Sequence, residues 1–182
     1  MLTQLWKRLV LAVLPCVALA LTTQPATAAV LSVAPAETTV IVGDIFQLRV
    51  TLDAVPDLKG CDLIYGFTNT RLQFLSALAG DIVAGPIGSY FDYVLPDVTA
   101  PVDSIWYDGA RLSGTGSGPG VVVFLKFKAT TLGDAHVGGK TTDVGDSVNQ
   151  MLVHSCTNGL VHIVGPTPVR PASWGRVKWI YR

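Results

Sequence analysis

Apolar and polar positions alternate with a period of two in a series of short runs along this chain. The pattern predicts strands near Leu31–Ala34, Thr38–Ile41, Ile45–Leu52, Lys59–Phe67, Leu72–Leu78, Ser104–Asp108, Gly120–Lys128, Ala135–Gly138, Asn149–Ser155 and Leu160–Val164. In the fourth run Leu63, Tyr65 and Phe67 alternate with Asp62, Ile64 and Gly66, which turns the large side chains towards a core. In the Gly120–Lys128 run the same logic sends Val121, Val123, Leu125 and Phe127 inward, and Val122, Phe124, Lys126 and Lys128 outward. Gly43-Asp44, Pro56-Asp57, Asn69-Thr70, Gly133-Asp134 and Asn158-Gly159 mark turns, the last as the two-residue link of a closing hairpin. No stretch keeps a 3.6-residue period between caps, so helix is expected to be scarce. Gly80 to Pro101 is the longest segment read as irregular. Strands and glycine corners at this spacing predict an all-β sandwich.

The 137 residues from Ala29 to Gly165 suit one domain with one core. Eighteen glycines and 11 prolines without a repeat or low-complexity tract fit a fold with many corners rather than a disordered chain. Ahead of this body, Lys7 and Arg8, the apolar Leu9 to Leu21 and the small-residue site Ala26-Thr27-Ala28 read as an export signal over residues 1–28. The apolar run is shorter than the roughly 20 residues of a membrane span, so no transmembrane segment is expected in the mature chain. A proline-stiffened linker then leads to a tail over 166–182, where Val177, Trp179 and Tyr181 alternate with Arg176, Lys178 and Arg182. That tail suggests retention at a cell surface, or a disordered end.

Charge divides unevenly. The body carries seven basic residues against 13 acidic ones, and the tail four basic residues and no acid. An acidic body argues against nucleic acid as a partner, because neutralising phosphates needs a basic face. Export leaves Cys61 and Cys156, an even pair for an oxidising compartment, which predicts a disulfide; two separate buried thiols are the alternative.

Little else carries reaction chemistry. His154 and His162 lie on what the pattern makes adjacent strands, but no Cys or Glu stands at ligand spacing, so a metal site is not expected. Asp143-Val144-Gly145-Asp146 reads as solvated turn carboxylates rather than a calcium loop. Asp103 and Asp108 fall on opposite faces of a strand and make no glycosidase pair. Gly114 to Gly120 lacks a following lysine and helix, so it is a corner and no phosphate cradle. Without convergent acid, base and nucleophile, the expectation is a cofactor-free binding module and no enzyme. Tyr90, Phe91, Tyr93, Trp106 and Tyr107 offer a sugar-stacking platform if two or three of them are exposed and coplanar, or core plugs if they are not.

In order along the chain, Val42-Gly43-Asp44, Gly60-Cys61-Asp62-Leu63-Ile64-Tyr65, Asn69 to Leu72, Gly80-Asp81-Ile82-Val83, Phe91-Asp92 with Pro96-Asp97, Ser113-Gly114-Thr115-Gly116, the Gly120–Lys128 run and Gly159-Leu160-Val161-His162-Ile163-Val164 resemble a cohesin domain. Cohesins are secreted modules that hold dockerin-bearing enzymes on bacterial scaffolds. The resemblance implies a jelly-roll sandwich of about nine strands. It also implies a protein partner of the dockerin kind, in a cell-surface or polysaccharide-degrading assembly, with a polysaccharide as the alternative partner. Cohesins dock dockerins on the outer face of their strands three, five, six and eight. Carried over, that face takes in Asp62, Ile64, Asp108, Ser113 and Lys126, with Tyr93 and Leu95 at its rim. The alternation adds Val122 and Phe124, which with Ile64 would form an outward apolar strip edged by Asp62 and the two lysines. The chain departs from the family where Phe67-Thr68-Asn69 stands for the usual Tyr-Asp-Pro, Gly60 for a frequent Asn, and Leu95 for a Tyr. In the cohesin-like order Cys61 opens strand three and Cys156 ends strand eight, its neighbour, which would bring the two sulfurs within bonding reach.

Overall fold

The alternation does what a half-buried strand requires: in the computed structural model the strands Ala29–Ala34, Leu58–Phe67 and Gly159–Val164 bury every second residue or nearly so, while the edge strands Glu37–Ile41, Tyr90–Pro96 and His154–Thr157 bury none. The structure describes residues 28–53, 55–97 and 103–166. The export segment apart from Ala28, and the tail beyond Pro166, lie outside the described residues. Eleven strands follow one another: β1 Ala29–Ala34, β2 Glu37–Ile41, β3 Ile45–Leu52, β4 Leu58–Phe67, β5 Leu72–Ala79, β6 Tyr90–Pro96, β7 Ser104–Arg111, β8 Gly120–Ala129, β9 Gly133–Asp146, β10 His154–Thr157 and β11 Gly159–Val164. They form an all-β sandwich, with 11 strands rather than about nine. One sheet has the order β10-β1-β3-β8-β5 and the other β2-β11-β9-β4-β7-β6. Both are mixed, because β1 runs parallel to β10 and β2 parallel to β11.

The interior is made by the inward sets. Leu63, Tyr65 and Phe67 of β4 are buried, as are Ile105 and Tyr107 of β7 and Val123, Leu125 and Phe127 of β8. The Phe127 ring is the hub of an aromatic cluster, with centroids 5.3 Å from Phe67, 5.9 Å from Phe74 and 6.1 Å from Phe46. These separations lie in the favourable range for aromatic pairs.

Several readings of the pattern are corrected: of Asn149–Ser155 only His154 and Ser155 lie in a strand, and Asp143 to Asp146 belong to β9 rather than to a turn. Tyr90–Pro96 is a strand, not an irregular loop; it forms a sheet edge, where most positions stay wet and burial contrast is lost. β9 runs 14 residues instead of four: Gly138-Gly139 interrupts the apolar alternation, but pairing with β4 resumes beyond it after one extra residue, Lys140. Asn158-Gly159 closes no hairpin: β10 and β11 belong to different sheets, and the chain changes sheet at Asn158. Strand β8 carries a shift opposite Val50 and Thr51, which leaves Val122 fully buried and Val121 partly buried. A bulge adds one residue to the count and so inverts the alternation beyond it.

Gly80 is needed for close approach. A Cβ there would lie 2.1 Å from the Val121 carbonyl oxygen, and its N–H donates to Val122 at 2.7 Å. Gly43 occupies a left-handed turn (φ 96°) that any side chain would strain. Asp44 tightens the same turn by accepting the Ile41 N–H at 3.0 Å.

Candidate functional site

The outer face of β9-β4-β7-β6 gathers most of the expected site residues, because their strands are adjacent and in register. Asp62 pairs with Asp108 on one side and Asp143 on the other, and Asp108 pairs with Tyr93. One row across the sheet is therefore Tyr93, Asp108, Asp62 and Asp143. The next row is Leu95, Trp106, Ile64 and Thr141. Adjacent strands lie about 4.8 Å apart, so three carboxylates stand shoulder to shoulder beside an aromatic and aliphatic row. Ser113 is exposed just beyond the end of β7.

Two contacts stiffen this face. The indole N–H of Trp106 donates to Oδ1 of Asp62 at 2.5 Å. The Trp106 ring meets Tyr93 edge-on, with centroids 6.5 Å apart and planes at 88°. Both rings remain well exposed, at 40% and 47%. Asp108 has its carboxyl pKa raised, first by burial and then by the charge of Asp62. No described side chain neutralises Asp108 or Asp143. The nearby cations are turned elsewhere: Lys59 donates to the Gly114 carbonyl, and Arg111 to the carbonyls of Ala84 and Thr115. The depression under these groups, about 490 Å³, is an open hollow of the sheet also lined by Leu112, Asp146 and Met151. Among the described residues no group of three His, Cys, Asp or Glu side chains is arranged to hold a metal ion.

Three expected members do not belong to this face. Val122, Phe124 and Lys126 lie on β8, in the opposite sheet, so they cannot join Ile64 in one strip. Val122 is also in the core. A single strip with Ile64 requires the Gly120–Lys128 run to share a sheet with β4, whose neighbours are β9 and β7. Trp106, offered by the sequence only as a sugar-stacking ring, alternates with Asp108 on β7 and so shares this face, whereas Asp143 and Thr141 join it only through the register of β9 with β4.

The cysteines are free. Cys61 faces inward from β4 beneath the acidic row, and burial followed by the charge of Asp108 pushes its thiol pKa up to about 12. Cys156 is exposed on β10, in the other sheet, with its Sγ 3.9 Å from the Tyr65 hydroxyl. Tyr65 lies four residues along β4 from Cys61, about 13 Å at strand rise, so Cys156 meets a different stretch of that strand. The histidines are likewise apart. His154 contacts Thr142 and the Leu152 carbonyl, while His162 bridges Glu37 at 2.5 Å and Asp134 at 2.7 Å. Of the loop aromatics, Tyr107 is buried. Phe91, Tyr93 and Trp106 are exposed, and of these Tyr93 and Trp106 are perpendicular, so that pair forms no flat platform for a sugar ring.

No protein-family model and no curated protein matches the sequence. Solved structures do match its fold. The sixth cohesin of scaffoldin B from Acetivibrio cellulolyticus, solved in complex with a dockerin, superposes with a TM-score of 0.63 at 22% identity, covering 76% of this chain and 100% of its own. A cohesin from Clostridium thermocellum, also in a dockerin complex, gives 0.64 at 16% identity over 76% and 100%. A non-cellulosomal cohesin from the archaeon Archaeoglobus fulgidus gives 0.62 at 18% identity over 76% and 93%. The fold of this chain is the cohesin fold.

Proposed function

We propose that this chain is an exported, non-catalytic docking module that holds a dockerin-like protein on the outer face of β9-β4-β7-β6. The observation that carries the reading is the exposed Tyr93–Trp106 pair beside Ile64 and Leu95, edged by Asp62, Asp108 and Asp143. Aromatic anchors set in a polar surround are the composition of protein interfaces, and such anchors carry most of the binding energy. Dockerin complexes of cohesins that share this fold support the same class of partner. The open sheet supports contact rather than chemistry. Asp62 and Asp108 are adjacent carboxylates, but no cleft around them excludes water from a reacting bond. Residues 1–28 act in this reading as the export signal, 29–165 as the docking body, and 166–182 as a separate tail at the cell surface.

The test is a panel of dockerins immobilised beside insoluble polysaccharides. Binding to a dockerin that Ile64→Asp removes, in a variant with unchanged melting, supports the reading. Retention by polysaccharide alone, or dockerin binding unaffected by Ile64→Asp and Trp106→Ala together, overturns it.

A further inference from the structure

The body has seven basic residues, and their partners divide them sharply. Lys59 and Arg111 donate to backbone carbonyls, Arg71 to the carbonyls of Leu132 and Asp134, and Lys140 to the carboxylate of Asp103. The remaining three, Arg49, Lys126 and Lys128, have no hydrogen-bond or ion-pair partner among the described residues. All three project outward from the same sheet. Arg49 of β3 is opposite Phe124 of β8, and Lys126 and Lys128 follow at alternate positions of β8. Their neighbours on this surface are Gln47, Gln73, Ser76 and the exposed Leu78, and none is acidic. The carboxylates of Asp108 and Asp143, free of any described cation, sit on the other sheet's outer face with Asp62. The sandwich is thus charge-polarised through its thickness, with three unpaired cations on one broad face and the acidic row on the other.

We infer that the chain associates head to tail, the Arg49–Lys126–Lys128 face of one copy seated on the Asp62–Asp108–Asp143 face of the next. Each face supplies the charge the other lacks, and both are broad sheet surfaces with an apolar centre: Phe124 and Leu78 on one, Ile64 and Trp106 on the other. The two surfaces differ, so the contact is heterologous and can repeat along a row of copies. It also uses the acidic face assigned above to the dockerin-like partner, so self-association and partner docking exclude one another there.

Sedimentation of the full chain against concentration tests this, at about 0.01 M salt, where the screening length is about 30 Å, and at about 1 M, where it is about 3 Å. The expected result is a mass that rises with concentration in low salt and falls to the monomer in high salt. The Lys126→Glu, Lys128→Glu double variant and the Asp62→Lys, Asp143→Lys double variant each lose the rise, and an equimolar mixture of the two regains it. All four positions are exposed, and unchanged circular dichroism shows that folding is intact. A wild-type chain that stays monomeric in low salt, or a mixture that fails to associate, overturns the inference. The lysine variant keeps full affinity for a bound dockerin. A monomer that binds a dockerin therefore removes this inference alone, and an associating chain that binds none removes only the docking function.

Discussion

Trp106 and Asp62 form a diagonal pair across β4 and β7: the indole N–H reaches the carboxylate of a residue two places from its own register partner, Ile64. Diagonal neighbours of this kind interact when one side chain is long. The bond holds the largest exposed ring of the acidic face upright against Tyr93. Replacing Trp106 by Ala should weaken partner binding by about 2 kcal/mol or more, the scale of an aromatic hot spot. Trp106→Phe, which keeps a ring but loses the N–H, should fall between. Titration calorimetry with the identified partner decides this, and equal affinities for all three chains would remove Trp106 from the interface.

The two faces can be told apart by paired substitutions. Ile64→Asp should abolish partner binding, while Phe124→Ser, on the opposite sheet, should leave it unchanged. Equal losses from both would mean a partner that wraps the sandwich.

His162 makes stability depend on pH. Its pKa is raised by hydrogen bonds to Glu37 and then Asp134. A histidine whose folded pKa exceeds its unfolded value contributes fully below the unfolded value, and that contribution is lost as pH rises through the folded one. Wild-type melting temperature should therefore decline as pH climbs above about 6.5, and His162→Gln should flatten that part of the curve. A profile unchanged by the substitution would show the triad to be inert.

Asp108 makes stability fall with rising pH as well, but starting from the ordinary carboxyl range. Its folded pKa is raised by burial and by Asp62, so ionisation costs more in the folded state than in the unfolded one, and stability falls as pH rises through the folded pKa. Asp108→Asn should melt higher than wild type at pH 7 and lose the advantage in acid. Thermal scans at the two extremes check it.

The thiols should react unequally. The exposed Cys156 should be titrated by a thiol reagent in the native protein. Cys61, whose buried thiol has its pKa pushed up to about 12, should wait for unfolding. Two equally fast thiols, or none after unfolding without reductant, would contradict the structure.

Much of the architecture is legible in single strands. Leu63, Tyr65 and Phe67 announce a buried face by alternation alone, and they are buried. What a strand cannot announce is its neighbour. Lys126 and Ile64 both alternate outward, yet they face opposite directions because β8 and β4 belong to different sheets. Asp143 reads in sequence as a turn carboxylate, since its strand is broken by Gly138-Gly139, and only its register with Asp62 brings it to the acidic row. Val122 was misread because one extra residue in β8 reverses the parity on which the reading depends. The order of the short cohesin-like segments did carry the fold, even though each is a weak match by itself.

The sheet change at Asn158 has a counterpart at the start of the body, where the chain leaves β1 for β2 across Pro35-Ala36. The first strands and the last thus run as a parallel couple, side by side in one sheet and again in the other. Neither sheet can peel away while that couple holds, and neither end can fray without loosening both layers. The seam makes the sandwich one cooperative unit: a denaturant should find a single transition in it, with no half-open intermediate for a protease to exploit.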